Sequence, residues 1–537
     1  MNMLLRGVSM YDKNVRKNFL VGTLCVTAVT VACFIFLSIE PLRLLTVAPT
    51  FVGYIITNFF PPGFGNVQVY AEAVLHTVAF AVVSTCISAV LSFAFALLMS
   101  DAIMPFPAVR IVARLLMTFM RNIPVIIWVS LMVFIFGIGS MVGLVALVLA
   151  TTGFLSRSYA ESISEIAAKK LEPLRASGLS TPKIILHGLL PEFTPAWVNW
   201  TLFTFEINIR ASAILGMVGA GGMGVLIQTH LNLRNFNEVA TLILMLISIV
   251  IFTEFLAGLI RKKIINSGGM QKTNPKKIQV LPAKARLFKW SVTFSIIAFF
   301  LVSLNYLNLD IARFVGRLNN FPRIMRLLLQ ANPDVILPGL RQFLVSFAMG
   351  VVGLVLGGIL AVVLAFLAAD NIAPFKPAAV LIKAFVSIVR AVPSLVIILM
   401  IVAAIGFGYT TGVVGLTLSS AGYLTKAFIA TIEEQKTGVI TAMRTTGASW
   451  AQIVVHGLFP AVATGFLAWI AIRLETSVAE SVSLGVVGAG GIGTLLSRAI
   501  RQFDYSAITV LILIIFCCMF CLELVANTAR NRIEVNL

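Results

Sequence analysis

From Val74 to Met99 the chain contains no Asp, Glu, Lys or Arg, and Phe19–Ile39, Val239–Ile260 and Ile508–Val525 are almost as apolar. A helix needs ~20 such residues to cross the ~30 Å of a hydrocarbon core. In that medium only helices and closed barrels satisfy their backbone polar groups. The ~10-residue alternating segments of a membrane barrel do not compete with these runs. The sequence therefore specifies an all-α polytopic membrane protein. Its charged fraction of 11%, against about a quarter in soluble domains, agrees.

A net charge of +19 might suggest nucleic acid, but the charges sit in blocks beside apolar runs. Arg6, Lys13, Arg16 and Lys17 open the chain, a block from Arg261 to Lys289 divides it, and Arg530 and Arg532 close it. Positive flanks of this kind mark the cytoplasmic side of spans, so no nucleic-acid partner is expected and both termini are placed in the cytoplasm. No small-residue cleavage site follows Glu40-Pro41, so the first run reads as a retained helix rather than a leader. The six cysteines lie in apolar runs with no metal-ligand spacing, and no metal site is expected.

The chain repeats itself. Asp101-x-x-x-Pro105-Phe106 recurs at Asp370, Arg121-x-x-Pro124 at Arg390, and His187-Gly-Leu-x-Pro191 at His456, each offset by 269 (390 − 121). Two parallel tandem repeats of about six helices follow. The first half is assigned to 1–262, with spans near 18–38, 73–99, 110–136, 139–157, 190–214 and 237–260. A basic cytoplasmic linker covers 263–287. The second half is 288–537, with spans near 288–308, 336–368, 379–404, 408–427, 461–484 and 507–527. An even number of spans per half returns each end to one side, and parallel repeats place a transport pathway at their interface.

Two polar stretches interrupt the pattern, Ser156–Leu190 and Thr425–Phe459. Their cores carry Glu172, Arg175, Gly178, His187 and Pro191 in one copy, and Thr441, Arg444, Gly447, His456 and Pro460 in the other. This pattern resembles the EAA loop of ABC-importer permeases. The resemblance implies two short helices around a glycine turn that dock into a groove of a separate ATPase. Thr441 stands where the family has a glutamate, with Glu433 and Glu434 further upstream, so the two loops are not expected to dock alike.

Gly219, Gly221 and Gly224, repeated as Gly488, Gly490 and Gly493, match a dinucleotide fingerprint in spacing only. They follow a membrane span rather than a strand, and the chain has no Gly-Lys-Ser/Thr P-loop. They read as a compact, bendable outer end of the fifth span, serving either as a gate or as tight packing.

Charged residues within spans are expensive and are functional candidates. Arg121 and Arg390 stand about eleven residues into the third spans, near mid-membrane for a continuous helix. Glu206 and Glu475 occupy equivalent places in the fifth, with Arg210 one turn beyond Glu206 and able to pair with it. Two readings stay open and compatible: ion pairs that hold the bundle, or an arginine-lined pathway for an anion.

The stretch Glu206-Ile-Asn208-Ile-Arg210 through Gly224, together with Arg-x-x-Pro, resembles the phosphonate-type branch of these permeases over about 73–262 and 336–532. That resemblance implies a type I ABC importer permease for phosphonate or a related phosphorus oxyanion. The implied partners are two copies of a cytoplasmic ATPase and a periplasmic or lipid-anchored solute-binding protein. The chain itself is then no enzyme and carries no cofactor, ATP and Mg belonging to the ATPase, and it resides in the cytoplasmic (inner) membrane. The alternatives are an importer of another substrate, such as an amino acid or ferric iron, and a secondary transporter or channel that needs no ATPase.

Overall fold

The computed structural model describes residues 13–167, 179–268, 283–319, 321–435 and 437–535. Among these the regular structure is helical throughout. Eight helices are long and apolar enough to cross a membrane, and three further pairs qualify only if each bent pair is one span. The first repeat runs through α1 (Lys13–Leu37), α2 (Pro41–Phe59), α3 (Val67–Met99), α4 (Pro107–Asn122), α5 (Val125–Phe136), α6 (Ser140–Ile166), α7 (Leu190–Leu215), α8 (Met223–Asn232) and α9 (Phe236–Gly268). The second runs through α10 (Ala283–Tyr306), α11 (Ile311–Leu318), α12 (Phe321–Leu328), α13 (Ile336–Ala368), α14 (Lys376–Ala391) and α15 (Ser394–Ile405). It continues with α16 (Tyr409–Glu433), α17 (Thr437–Thr445), α18 (Phe459–Val486), α19 (Ile492–Arg501) and α20 (Tyr505–Val535).

The compact units differ from the covalent halves. One comprises Met1–Asn58 with Leu328–Leu537, the other Phe59–Leu327. In the first of these α1 packs against α13, and in the second α10 packs against α3. Each unit thus takes its opening helix from the other repeat. Adjacency in sequence does not reveal this exchange.

Within each unit the second span of the repeat, α3 or α13, packs on the helix two spans on, α6 or α16. Lipid tails offer no hydrophobic reason for helices to associate, so small residues that admit close approach do this work. In α13 they form Gly353-x-x-x-Gly357, where a Cβ would meet the Leu416 Cβ at 2.6 Å and the Ser420 Cβ at 2.7 Å. The repeat-equivalent positions in α3 are Ser84 and Ser88. Ser88 and Ser92 there donate to the Val148 and Thr152 carbonyls of α6 at 3.4 and 3.3 Å.

The stretches 110–136 and 379–404 are not continuous helices, which corrects the depth assigned to the arginines. α4 meets α5 at 94° and α14 meets α15 at 92°. The cause is Pro124 and Pro393. Proline drives the residue before it out of the helical region, and Ile123 (ψ 120°) and Val392 (ψ 126°) are extended. The Met120 carbonyl near the break accepts from the Trp128 indole N–H at 3.1 Å. Counting 1.5 Å per residue fails across such a corner.

The corners rest on glycines. A Cβ at Gly153 of α6 would stand 2.8 Å from the Arg121 backbone nitrogen, and one at Gly422 of α16 would stand 3.1 Å from Val389 Cγ1 and 3.4 Å from Arg390 Cγ. Gly153→Ala should therefore destabilise the detergent-solubilised protein by about 1–3 kcal/mol through overpacking. Gly258→Ala in α9, where a Cβ meets open space, should be neutral or stabilising by up to ~1 kcal/mol. Thermal melting of the two variants checks this contrast.

Candidate functional site

Three groups of residues are candidates, and the repeat places each of them twice. The first is the pair of corners. Arg121 and Arg390 occupy the last turn of α4 and α14, both half-buried, the first with its backbone against Gly153 and the second with its Cγ against Gly422. Neither is without an interaction. The preceding turn, Asp101 or Asp370, is tied to the same helices. Asp101 pairs with Arg114 at 2.7 Å and Arg110 at 3.2 Å, and Asp370 pairs with Lys383 at 2.7 Å. The Arg114 hydrogen bond, with the charges of Arg114 and Arg110, holds the Asp101 carboxyl below its usual range. The shared Asp-x-x-x-Pro motif thus fixes where the arginine-bearing helices begin.

The second group is the acids of the fifth span, where the repeats diverge. Glu206 is buried and accepts from Arg261 Nη2 at 2.7 Å. Arg261 belongs to the block assigned to the cytoplasmic flank, so part of that block reaches into the bundle. Arg210 is half-buried and engaged, as is Glu475. The residue equivalent to Arg261 is Thr528, after the offset shortens to 267 (501 − 234).

The second repeat has its own centre at Arg473 and Glu480. Arg473 is 4% exposed and grips both oxygens of Glu480, at 2.7 and 2.9 Å. It also donates to Ser419 at 2.9 Å, Thr476 at 3.2 Å and Ser420 at 3.3 Å, and lies 5.4 Å from the Tyr423 ring centre. All its donor groups are engaged, the arrangement that makes a buried ion pair tolerable. The first repeat has Thr204 and Ala211 at these positions and centres instead on Asn208, which donates to Thr85 at 2.9 Å and accepts from Thr151 at 3.1 Å. Comparing the repeats for shared residues passes over this pair. Its signal is an Arg and a Glu seven apart, on one face of a helix whose one other charge is Glu475.

The third group is the glycines. Gly219, Gly221 and Gly222 have φ of +104°, +95° and +74°, and Gly488, Gly490 and Gly491 have +102°, +99° and +80°. These are values that side chains resist, and the chain turns there from α7 into α8 and from α18 into α19. Gly222 and Gly491 are additions to the sequence reading. Gly224 and Gly493 act otherwise: each is helical, and a Cβ would strike the carbonyl of Ala213 or Val482. A hydroxyl pins each turn, Thr77 accepting from the Met223 amide at 3.0 Å and Ser346 from the Ile492 amide at 3.2 Å. The turns touch the short links that follow α5 and α15, since Ile138 lies beneath Gly219 and Phe407 beneath Gly488.

Of the polar loops, Glu172, Arg175 and Gly178 lie outside the described residues. His187 falls in a π-helical turn, Ile184–Leu189, repeated by His456 in Ile453–Leu458, with Pro191 and Pro460 opening the following helices. Thr441 and Arg444 are exposed on α17, which ends at Gly447 with φ of +76°. A capping box, Ser449 with Gln452, starts the next turn. Trp450 donates to the Ile372 carbonyl at 2.9 Å, and Glu433 accepts from the Asp370 amide at 2.9 Å and pairs with Lys383 at 3.1 Å. The second loop is thereby fastened to the Asp370 turn while Thr441, Arg444, Gly447 and His456 face outward.

Replacing Arg473 with Met should cost about 3–5 kcal/mol by stranding Glu480. Arg473→Met with Glu480→Leu should recover much of that loss, as scanning calorimetry of the purified chain would show.

The profile of the family described as "Binding-protein-dependent transport system inner membrane component" matches residues 92–266 and 361–535, one match per repeat. A phosphate-import permease protein of Mycolicibacterium smegmatis is 28% identical over 482 residues, 89% of this chain and 88% of that protein. A phosphite transport system permease protein of Stutzerimonas stutzeri is 30% identical over 234 residues, 44% of this chain and 85% of that protein. Among solved structures, an inward-facing methionine ABC transporter matches with a TM-score of 0.34 at 22% identity, covering 37% of this chain and 97% of that one.

Proposed function

Because the chain belongs to the family of binding-protein-dependent transport system inner membrane components, we propose that it is the whole permease of an ATP-driven importer for a phosphorus oxyanion, its two repeats standing for two permease subunits. The observation that carries the substrate class is a similarity to a phosphate-import permease that runs through both repeats. The phosphite permease, matching over 44% of this chain, points the same way. Arginine suits such a ligand, since its planar fork donates two parallel hydrogen bonds to an oxyanion.

In this reading the solute-binding protein delivers the anion to the end of the bundle bearing the glycine turns. Two copies of the ATPase bind the loops at the other end and hold the nucleotide and Mg, while both termini lie on the ATPase side. Arg121 and Arg390 act at the corners, where a broken helix brings side chains and backbone to the pathway wall. Glu206, Arg210 and Glu475 balance charge around them. ATPase closure pushes on the loops at His187 and His456, and the fifth helices carry the movement to the glycine turns. Those turns are small enough to shift against Ile138 and Phe407.

Arg121→Gln and Arg390→Gln should each reach normal membrane abundance, retain ATP hydrolysis stimulated by the binding protein, and lose most phosphate or phosphonate uptake in proteoliposomes. The Lys variants should fall between, because charge is kept and the fork is lost. Normal uptake in the double Gln variant would remove both residues from the pathway. Separately, Gly447→Val should lower ATPase co-purification and uptake together, since a β-branched residue resists a positive φ. Gly438→Ala, in open space on the same helix, should leave both intact.

A further inference from the structure

The segment between α10 and α13 has no role in the reading above, and its chemistry is specific. α11 and α12 are each eight residues long, with one apolar face and arginines opposite. Ile311, Phe314, Val315 and Leu318 share the apolar face of the first, and Phe321, Ile324, Met325 and Leu328 that of the second. Arg313 and Arg317 lie across the first helix, and Arg323 and Arg326 across the second. Much of the apolar face is uncovered: Ile311 is 57% exposed, Val315 52% and Leu318 41%.

Geometry says what lies against it. α10 is apolar enough to cross the membrane together with α11, yet the two meet at 73°. If α10 runs near the membrane normal, α11 lies close to the membrane plane, at the level where the span ends. Both helices are also held in place. Phe314 and Phe321 stand 4.8 and 6.1 Å from Phe136, ring centre to ring centre. Arg317 donates to the Phe136 carbonyl, placing a cation at the negative end of α5.

A basic amphipathic helix lying in the membrane plane is the form that binds a lipid interface, its apolar face among acyl chains and its cations at the headgroups. We propose that α11 and α12 are interfacial helices that take anionic phospholipid headgroups on Arg323 and Arg326. Both are exposed and have no carboxylate partner among the described residues. Arg313 contributes less, being paired with Asp310 at 3.2 Å. The first repeat has no like segment, since α2, which follows its opening helix, carries only Arg43. Because Arg317 caps α5 and the adjacent Ile138 lies under Gly219, a headgroup held here braces the C-terminal end of α5 beside one glycine turn.

The test is amide hydrogen exchange of the full chain in nanodiscs of phosphatidylcholine alone or mixed with phosphatidylglycerol. At about fivefold per basic residue, residues 311–328 should exchange about 25-fold more slowly in the mixed lipid. Arg323→Gln with Arg326→Gln should abolish that difference and leave exchange in α13 unchanged, while the double Lys variant should retain it. Equal exchange of the wild-type segment in both lipids would overturn the proposal. So would a double Gln variant that keeps the lipid dependence, or protection that arises in phosphatidylcholine only when the solute-binding protein is added, which would make this a protein-docking surface.

Discussion

Every backbone amide that crosses hydrocarbon must find its partner inside its own helix, because lipid supplies none. The architecture follows from where this chain breaks that rule. It does so in two kinds of place, each occurring twice: the proline corners at Pro124 and Pro393, and the glycine turns at Gly219–Gly222 and Gly488–Gly491. Each break is closed by its surroundings. Gly153 lets one corner press backbone to backbone against α6, and Gly422 admits the Val389 and Arg390 side chains of the other against α16. Thr77 and Ser346 take the first amides of the helices after the glycines. Irregular backbone at membrane depth is tolerated only when buried in protein or lining a cavity.

The two repeats share this backbone and differ in buried charge. Glu206 finds Arg261 on α9, while the second repeat joins Arg473 to Glu480 within α18. A duplicated scaffold allows such drift, since the constraint common to both copies is that every buried charge be matched, not that the same residues match it. The asymmetry extends to the polar loops, where Glu433 and Trp450 lash the second to the Asp370 turn. A fused permease is free to specialise its two sides, and this one has done so in its interior and at its loops.

Much of this was legible in the amino-acid sequence, and the limits have physical causes. Long apolar runs have one folded solution in lipid, so the helical membrane class and the duplication could be read directly. The corners could not, because Arg-x-x-Pro within an apolar run reads as one continuous span; the extended Ile123 before Pro124 turns the chain by about a right angle. Arg261 was grouped with its basic neighbours, although a long side chain at a span's end can reach inward as readily as outward. Arg473 and Glu480 are visible beside Ala479 in the sequence, but repeat comparison rewards what is shared and does not show that the two pair with each other. The exchange of α1 and α10 between units leaves no local trace at all.

The central claim is that these paired breaks form the pathway of an ATP-driven importer of a phosphorus oxyanion. Its most direct test is uptake of radiolabelled phosphate, phosphite and methylphosphonate into proteoliposomes holding this chain with its ATPase, given the solute-binding protein outside and ATP inside. The account predicts accumulation of at least one of the three against its gradient, abolished when ATP or the binding protein is withheld. Accumulation that persists without ATP and follows an ion gradient would contradict it.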